Sequence, residues 1–300
     1  MMQVGIFTGY FPYGLEETAA RIRRLGFNAV QLDLDFRDLD TATEAIGPAL
    51  GRRIRESLRA HDLPVAAISG YTNIVHPDGE TRRRLLDRLK AIIRHAREFG
   101  SPYVISETGT FHPESDWVDH PRNHSAAGYE EARDTIGALV ETARQADGVF
   151  LVETYVNNVI GSVEETLRLF AEIASPHLGL LMDPTNYFDG ENIGDMAGTL
   201  NRIFDALDGK VLVAHAKDVK RATDRAEKHA AIDASPAHSF RGAGAIELPA
   251  PGLGVLDYEL YLRRLGRHHP NIPIIIEHLE EADIPRAKAF LDGALARAGA

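Results

Sequence analysis

VLVAHAKDVK, residues 211–220, is apolar for four positions and then sets His215, Lys217 and Asp218 in quick succession. A continuous apolar run without alternation predicts a strand covered on both faces, as parallel strands are. Seven further stretches share this character: QVGIFT (3–8), AVQLDL (29–34), VAAIS (65–69), YVIS (103–106), VFLVE (149–153), LGLLMD (178–183) and IPIIIE (272–277). Amphipathic helical patterns separate them. Leu85, Leu86, Leu89, Ile92, Ile93, Ala96 and Phe99 trace one apolar face. Ser162 followed by Glu165 predicts a capping box, and Asp283 ahead of a first-turn proline predicts another helix start. Alternating β and α demands a parallel sheet. Eight such units in 300 residues predict a single (β/α)8 TIM barrel domain over 1–300. The irregular segment 219–256, after strand seven, is expected to be a long active-site loop or lid.

Composition narrows the function. The net charge is −11, from 44 acidic and 33 basic residues, which repels phosphate backbones and argues against nucleic acid as a partner. No strand is followed by GxGxxG or a P-loop, so a nucleotide fold is disfavoured. Cysteine is absent, which removes disulfides and thiolate metal sites and fits a cytoplasmic protein. The N-terminus shows no signal-peptide pattern, and no apolar run approaches the ~20 residues that span a bilayer, so no membrane partner is expected. A small molecule remains as the partner.

In such barrels chemistry sits at the C-terminal strand ends. Strands five to eight end in Glu153, Asp183, His215 and Glu277. Side-chain alternation puts them on the same side as Leu151, Leu181, Val213 and Ile275, facing the barrel mouth. Three carboxylates so placed call for a cation. Three oxygens and one imidazole without thiolate favour Mn2+, Mg2+ or Co2+, with Zn2+ admitted by the same donors. Such a cation would polarise a hydroxy-ketone, while Glu153 and Glu277 remove and return a proton from opposite faces through a metal-stabilised enediolate. Expulsion of a β-hydroxyl instead makes the same site a dehydratase. A non-catalytic sugar-binding barrel is a third possibility, disfavoured by the complete ligand set.

The stretches LVET, MDPTNY, HAKDV, PGLGVLDY and IIIEH, with weaker support from YTNIVHPD and ISETGT, resemble the xylose isomerase-like TIM barrel superfamily. More narrowly they resemble its sugar (phosphate) isomerase/epimerase family, which includes ketose 3-epimerases and inosose dehydratases. That resemblance implies a metal role for Glu153, Asp183, His215 and Glu277 and proton transfer by the two glutamates. It also implies a sugar or polyol substrate. Arg221 falls where 3-epimerases carry a substrate-contacting arginine. Asn186 stands where they carry a histidine, and Gln31 where many relatives carry glutamate.

Further substrate-binding candidates follow from position. Lys217 lies two residues past His215 and faces the same mouth, whereas Asp218 faces away. Glu107 ends strand four, His76 follows strand three, and Asp33 lies near the end of strand two. The lone Trp117 suits either sugar stacking or packing. The 13 histidines invite comparison with the multi-zinc endonuclease IV relatives of this barrel, but most fall in helices or turns and the charge opposes DNA. A homodimer or homotetramer is a compatible assembly.

Overall fold

Eight strands form in the eight predicted places: β1 (Gln3–Phe7), β2 (Ala29–Leu32), β3 (Val65–Ser69), β4 (Tyr103–Glu107), β5 (Val149–Glu153), β6 (Leu178–Met182), β7 (Val211–Ala216) and, last in the chain, β11 (Pro273–Ile276). In this computed structural model, which describes residues 2–222, 240–241 and 246–299, they close a parallel barrel in the order β1-β11-β7-β6-β5-β4-β3-β2. Its interior is a layer of Ala67, Ile105, Leu151, Leu181, Val213 and Ile275, one from each of six strands. β1 contributes Gly5, because a Cβ there would meet the Ile275 Cδ1 at 2.5 Å. β2 contributes Gln31, fully buried and hydrogen-bonded across the barrel to His215.

Helices α1 (Leu15–Arg24), α2 (Pro48–Ala60), α3 (Gly79–Arg94), α4 (Ala96–Phe99), α5 (Ala126–Gln145), α6 (Val163–Glu172), α7 (Met196–Leu207), α8 (Tyr258–His268) and α9 (Ile284–Ala298) surround the sheet. The apolar face predicted from Leu85 to Phe99 runs along α3 and α4, with a break at His95. Ser162 and Glu165 cap α6 reciprocally. Asp283 starts α9 as predicted, but its carboxylate holds Arg286 rather than a backbone N–H. Among the described residues no helix is long and apolar enough to cross a membrane.

The described part of the segment after strand seven includes short strands. β8 (Lys220–Arg221), β9 (Phe240–Arg241) and β10 (Ile246–Leu248) form a small antiparallel sheet of order β8-β10-β9. Of the segment 219–256 expected to be a lid, residues 223–239 and 242–245 lie outside the described residues. Asp218, facing away from the mouth, fastens the return of this segment. Its carboxylate accepts N–H groups from Val219, Gly252 and Leu256 at 2.8–2.9 Å. Gly254 must be glycine, since a Cβ would lie 2.3 Å from Asp218 Oδ1.

Replacing Asp218 with Ala strands several backbone donors in a 2 % exposed position. Each unpaired donor costs roughly 1–3 kcal/mol, so a loss of about 3 kcal/mol is expected in denaturant unfolding. An unchanged midpoint would show that Asp218 does not hold the loop.

Candidate metal and active site

The interior layer dictates the site. Two residues beyond Leu151, Leu181, Val213 and Ile275 along their strands come Glu153, Asp183, His215 and Glu277, all buried. One ligand atom from each lies within 4.8 Å of the other three. His215 Nδ1 is 3.1 Å from Glu277 Oε2, 3.4 Å from Glu153 Oε1 and 3.7 Å from Asp183 Oδ2. Lys217 Nζ joins the same three oxygens, at 2.9 Å from Asp183 and 3.8–3.9 Å from Glu277 and Glu153.

Charge balance explains the ionisation. Burial alone would raise the Glu153 carboxyl, but His215 and Lys217 outweigh it and hold the group below its ordinary value. Burial is likewise overcome at Asp183, chiefly by Lys217. Conversely, Glu277 and Glu153 outweigh burial at His215 and raise it well above the usual histidine range. The acids also outweigh burial at Lys217 and raise its ammonium. Without a metal, three negative charges therefore meet two positive ones. A divalent cation in place of the His215 proton brings the sum to zero.

The donors fit such a cation. His215 Nδ1 and Asp183 Oδ2 are buried without a hydrogen-bond partner, the Lys217–Asp183 contact being an ion pair outside hydrogen-bond geometry. The far side of His215 is fixed: Nε2 donates to Gln31 Oε1 at 2.8 Å, which aims Nδ1 at the acids. Gln31 Nε2 in turn donates to Ser69 Oγ at 3.1 Å and Tyr71 Oη at 3.4 Å. The two glutamates differ. Glu153 accepts the Tyr71 hydroxyl at 2.5 Å and Asn186 Nδ2 at 2.8 Å, whereas Glu277 has His215 and Lys217 as its neighbours in the cluster.

A cavity of about 190 Å3 opens over this floor. Glu107, Asn186 and Lys217 reach it, as does Trp117. Burial first, then the charge of Glu153, pushes the Glu107 carboxyl well up. Three other candidates stand apart. Arg221 is exposed and donates to the Gly190 carbonyl at 3.1 Å. His76 accepts the Asp78 N–H at 3.1 Å in the turn before α3. Asp33 turns aside because β2 ends at Leu32, and its backbone exchanges hydrogen bonds with Thr8. It faces a neighbouring cavity of about 310 Å3 against Leu34 and Arg88.

Phe7, Tyr10, Tyr71, Tyr155, Leu248 and His278 line the cavity without having been singled out. Alternation signals three of them: Phe7 follows Gly5, Tyr71 follows Ser69, and Tyr155 follows Glu153 by two. Tyr10, Leu248 and His278 arrive through irregular backbone. His278 has φ of +58°, an unusual conformation for a non-glycine residue. Its N–H donates to Tyr10 Oη at 2.8 Å and its Nδ1 to the Leu248 carbonyl at 2.9 Å.

Residues 19–295 match the family model described as xylose isomerase-like TIM barrel. No curated protein matches the sequence. Among solved structures, an L-ribulose 3-epimerase shares 18 % identity at a TM-score of 0.68, covering 100 % of this chain and 96 % of its own. A xylose isomerase-like TIM barrel protein from Mycobacterium smegmatis, in complex with magnesium, shares 16 % at 0.68, over 99 % and 96 %. A probable 3-DHS dehydratase from Bacillus anthracis shares 16 % at 0.67, over 97 % and 98 %. Identities this low speak to the shared fold.

Two outcomes are expected. Gln31→Ala frees the His215 ring and should weaken Mn2+ binding by roughly 10–100-fold in calorimetry, the usual cost of losing a residue that orients a ligand; unaltered affinity would remove Gln31 from the site. The second concerns Asp33, whose carboxyl burial raises to about 6. Because the folded value is raised, its stabilising contribution is full below the unfolded value near 4 and disappears as pH climbs through 6. Asp33→Asn should therefore gain about 2 kcal/mol on wild type at pH 7.5 and almost nothing at pH 3.5. A pH-independent difference in thermal unfolding would contradict this.

Proposed function

The chain belongs to the xylose isomerase-like TIM barrel family, and from that premise we propose that it is a divalent-metal-dependent isomerase or epimerase of a sugar or cyclitol. The observation that carries this reading is the buried cluster of Glu153, Asp183, His215 and Glu277, with His215 Nδ1 and Asp183 Oδ2 lacking hydrogen-bond partners at its centre. Orphaned buried donors and acceptors are costly, and a binding barrel would have no need of them. A divalent cation held by these four residues supplies a Lewis acid for the oxygens of a bound hydroxy-ketone.

The side chains divide the remaining work. Glu277 takes the proton from the carbon beside the carbonyl, and the C–H electron pair moves toward the carbonyl oxygen. Glu153 stands across the cluster to return a proton. Lys217 keeps positive charge beside the oxygen that becomes negative, and Asn186 and Glu107 offer hydrogen bonds to hydroxyls. The residues of the mouth exclude bulk water, which strengthens each of these interactions.

One observation favours a second reading. Glu153 is tied by Tyr71 and Asn186 while Glu277 is not, and a site with one readily moving base suits a lyase that removes a proton and expels a β-hydroxyl. Proteins that share this fold include both an L-ribulose 3-epimerase and a probable 3-DHS dehydratase.

Solvent deuterium incorporation into a panel of ketoses and inososes, with Mn2+ and with EDTA, tests the proposal. Exchange without loss of water is the expected result, lost with EDTA and reduced at least about 10³-fold in Glu277→Gln, as removal of a general base commonly costs 10²–10⁴. Dehydrated product would select the lyase. Exchange undiminished in Glu277→Gln would sink both.

A further inference from the structure

The walls of the cavity are unlike its floor. Phe7 and Tyr10 form an edge-to-face pair, with ring centroids 5.1 Å apart at 76°. Trp117 and Tyr155 form another, at 6.2 Å and 75°. The first pair lies at the C-terminal end of β1, and Tyr155 of the second follows β5. In the closed order β1 and β5 are four strands apart in either direction, so the pairs rise from opposite sides of the mouth. Both line the one cavity, whose floor is the carboxylate cluster.

This division into two aromatic walls and a polar floor matches one kind of molecule. A closed sugar or cyclitol ring carries C–H groups on its faces and oxygens around its edge. An aromatic face is electron-rich and receives C–H groups well. An open chain, by contrast, turns hydroxyls to all sides and would leave some unpaired against the aromatics. Charge adds a second constraint. Lys217 is the lysine among the described lining residues, and it is already committed to Asp183 at 2.9 Å. No arginine and no second lysine stands among the described lining residues to meet a carboxylate or phosphate on the substrate.

We propose that the site takes its substrate as a closed, uncharged ring, gripped between Phe7–Tyr10 and Trp117–Tyr155, with adjacent ring oxygens turned down to the carboxylate cluster. This specifies the substrate class of the proton-transfer reading above and rests on it. It excludes open-chain ketoses and sugar phosphates as preferred ligands.

Trp117 is the single tryptophan of the chain, so its fluorescence reports on this cavity alone. The probes are methyl α-D-glucopyranoside and myo-inositol as uncharged rings, D-sorbitol as an open chain, and D-glucose 6-phosphate as a charged ring. They are titrated into the Mg2+-saturated protein. The rings should perturb the emission with Kd values at least about tenfold below those of sorbitol and the phosphate, a difference of about 1.4 kcal/mol. Phe7→Ala and Tyr155→Ala should each weaken ring binding by about tenfold, within the range of lost aromatic contacts, while Mg2+ affinity stays within about twofold of wild type. Sorbitol or the phosphate binding as well as the rings, silence with both rings, or unaffected variants would each overturn the proposal. Ring binding without proton exchange on any ketone would instead defeat the proton-transfer reading and leave the clamp standing. Exchange on an open-chain ketose phosphate would do the reverse.

Discussion

Three carboxylates are forced together at the mouth of this barrel, and much of the surrounding structure answers that repulsion. Alternation along β5, β6 and β11 leaves them no other direction, because the residues two positions earlier fill the barrel interior. Charges taken out of water are costly unless matched closely. Lys217 and His215 arrive on the same strand, two residues apart, and approach the same three oxygens. Two positive side chains still leave one of the three negative charges unmatched. An apolar rim would have made a quieter protein, and the arrangement makes sense as stability given up for a reactive centre.

That arrangement was legible because it depends on parity and order along strands. The eight strands fall where continuous apolar runs lie, and Glu153, Asp183, His215 and Glu277 converge as alternation implies. The same rule reaches Phe7, Tyr71 and Tyr155, whose aromatic character disguises them as core. Legibility ends where strands do. Asp33 has the inward parity of Gln31, yet the backbone turns after Leu32 and Thr8 captures it, so the carboxyl faces a different cavity. His278 and Tyr10 meet through a left-handed backbone and one hydrogen bond, which no periodicity announces. Arg221 follows its strand into the small sheet, where its guanidinium turns to Gly190.

The small sheet is tied to the barrel through the same strand that carries His215. β7 delivers His215 and Lys217 inward and Asp218 outward. Asp218 gathers the N–H groups of the returning segment, and the Tyr258 hydroxyl donates to the Lys217 carbonyl at 2.9 Å. Tyr261 donates to the His215 carbonyl at 2.7 Å. The backbone under the two cations is therefore anchored by α8, and β10 supplies Leu248 both to the cavity wall and, through its carbonyl, to His278. Residues of the mouth and of the loop region share one set of supports.

Gln31 shows why the fit depends on an amide. Its oxygen accepts from His215 while its nitrogen donates to Ser69 and Tyr71, and Tyr71 passes its own proton toward Glu153. An arc of hydrogen bonds thus joins Glu153, Tyr71, Gln31 and His215, reaching from β5 to β7 by way of β2 and the end of β3. A carboxylate at position 31 would still accept from His215, but it has no proton for Tyr71 or Ser69. It would also bring a further negative charge to a cluster already short of positive ones. Because the arc contacts two members of the buried cluster at once, a displacement of either is felt by the other. Glu277 lies outside it, and the carboxylate left outside the arc is the one whose movement disturbs the site least. Two glutamates of identical chemistry are thereby set apart by the company each keeps.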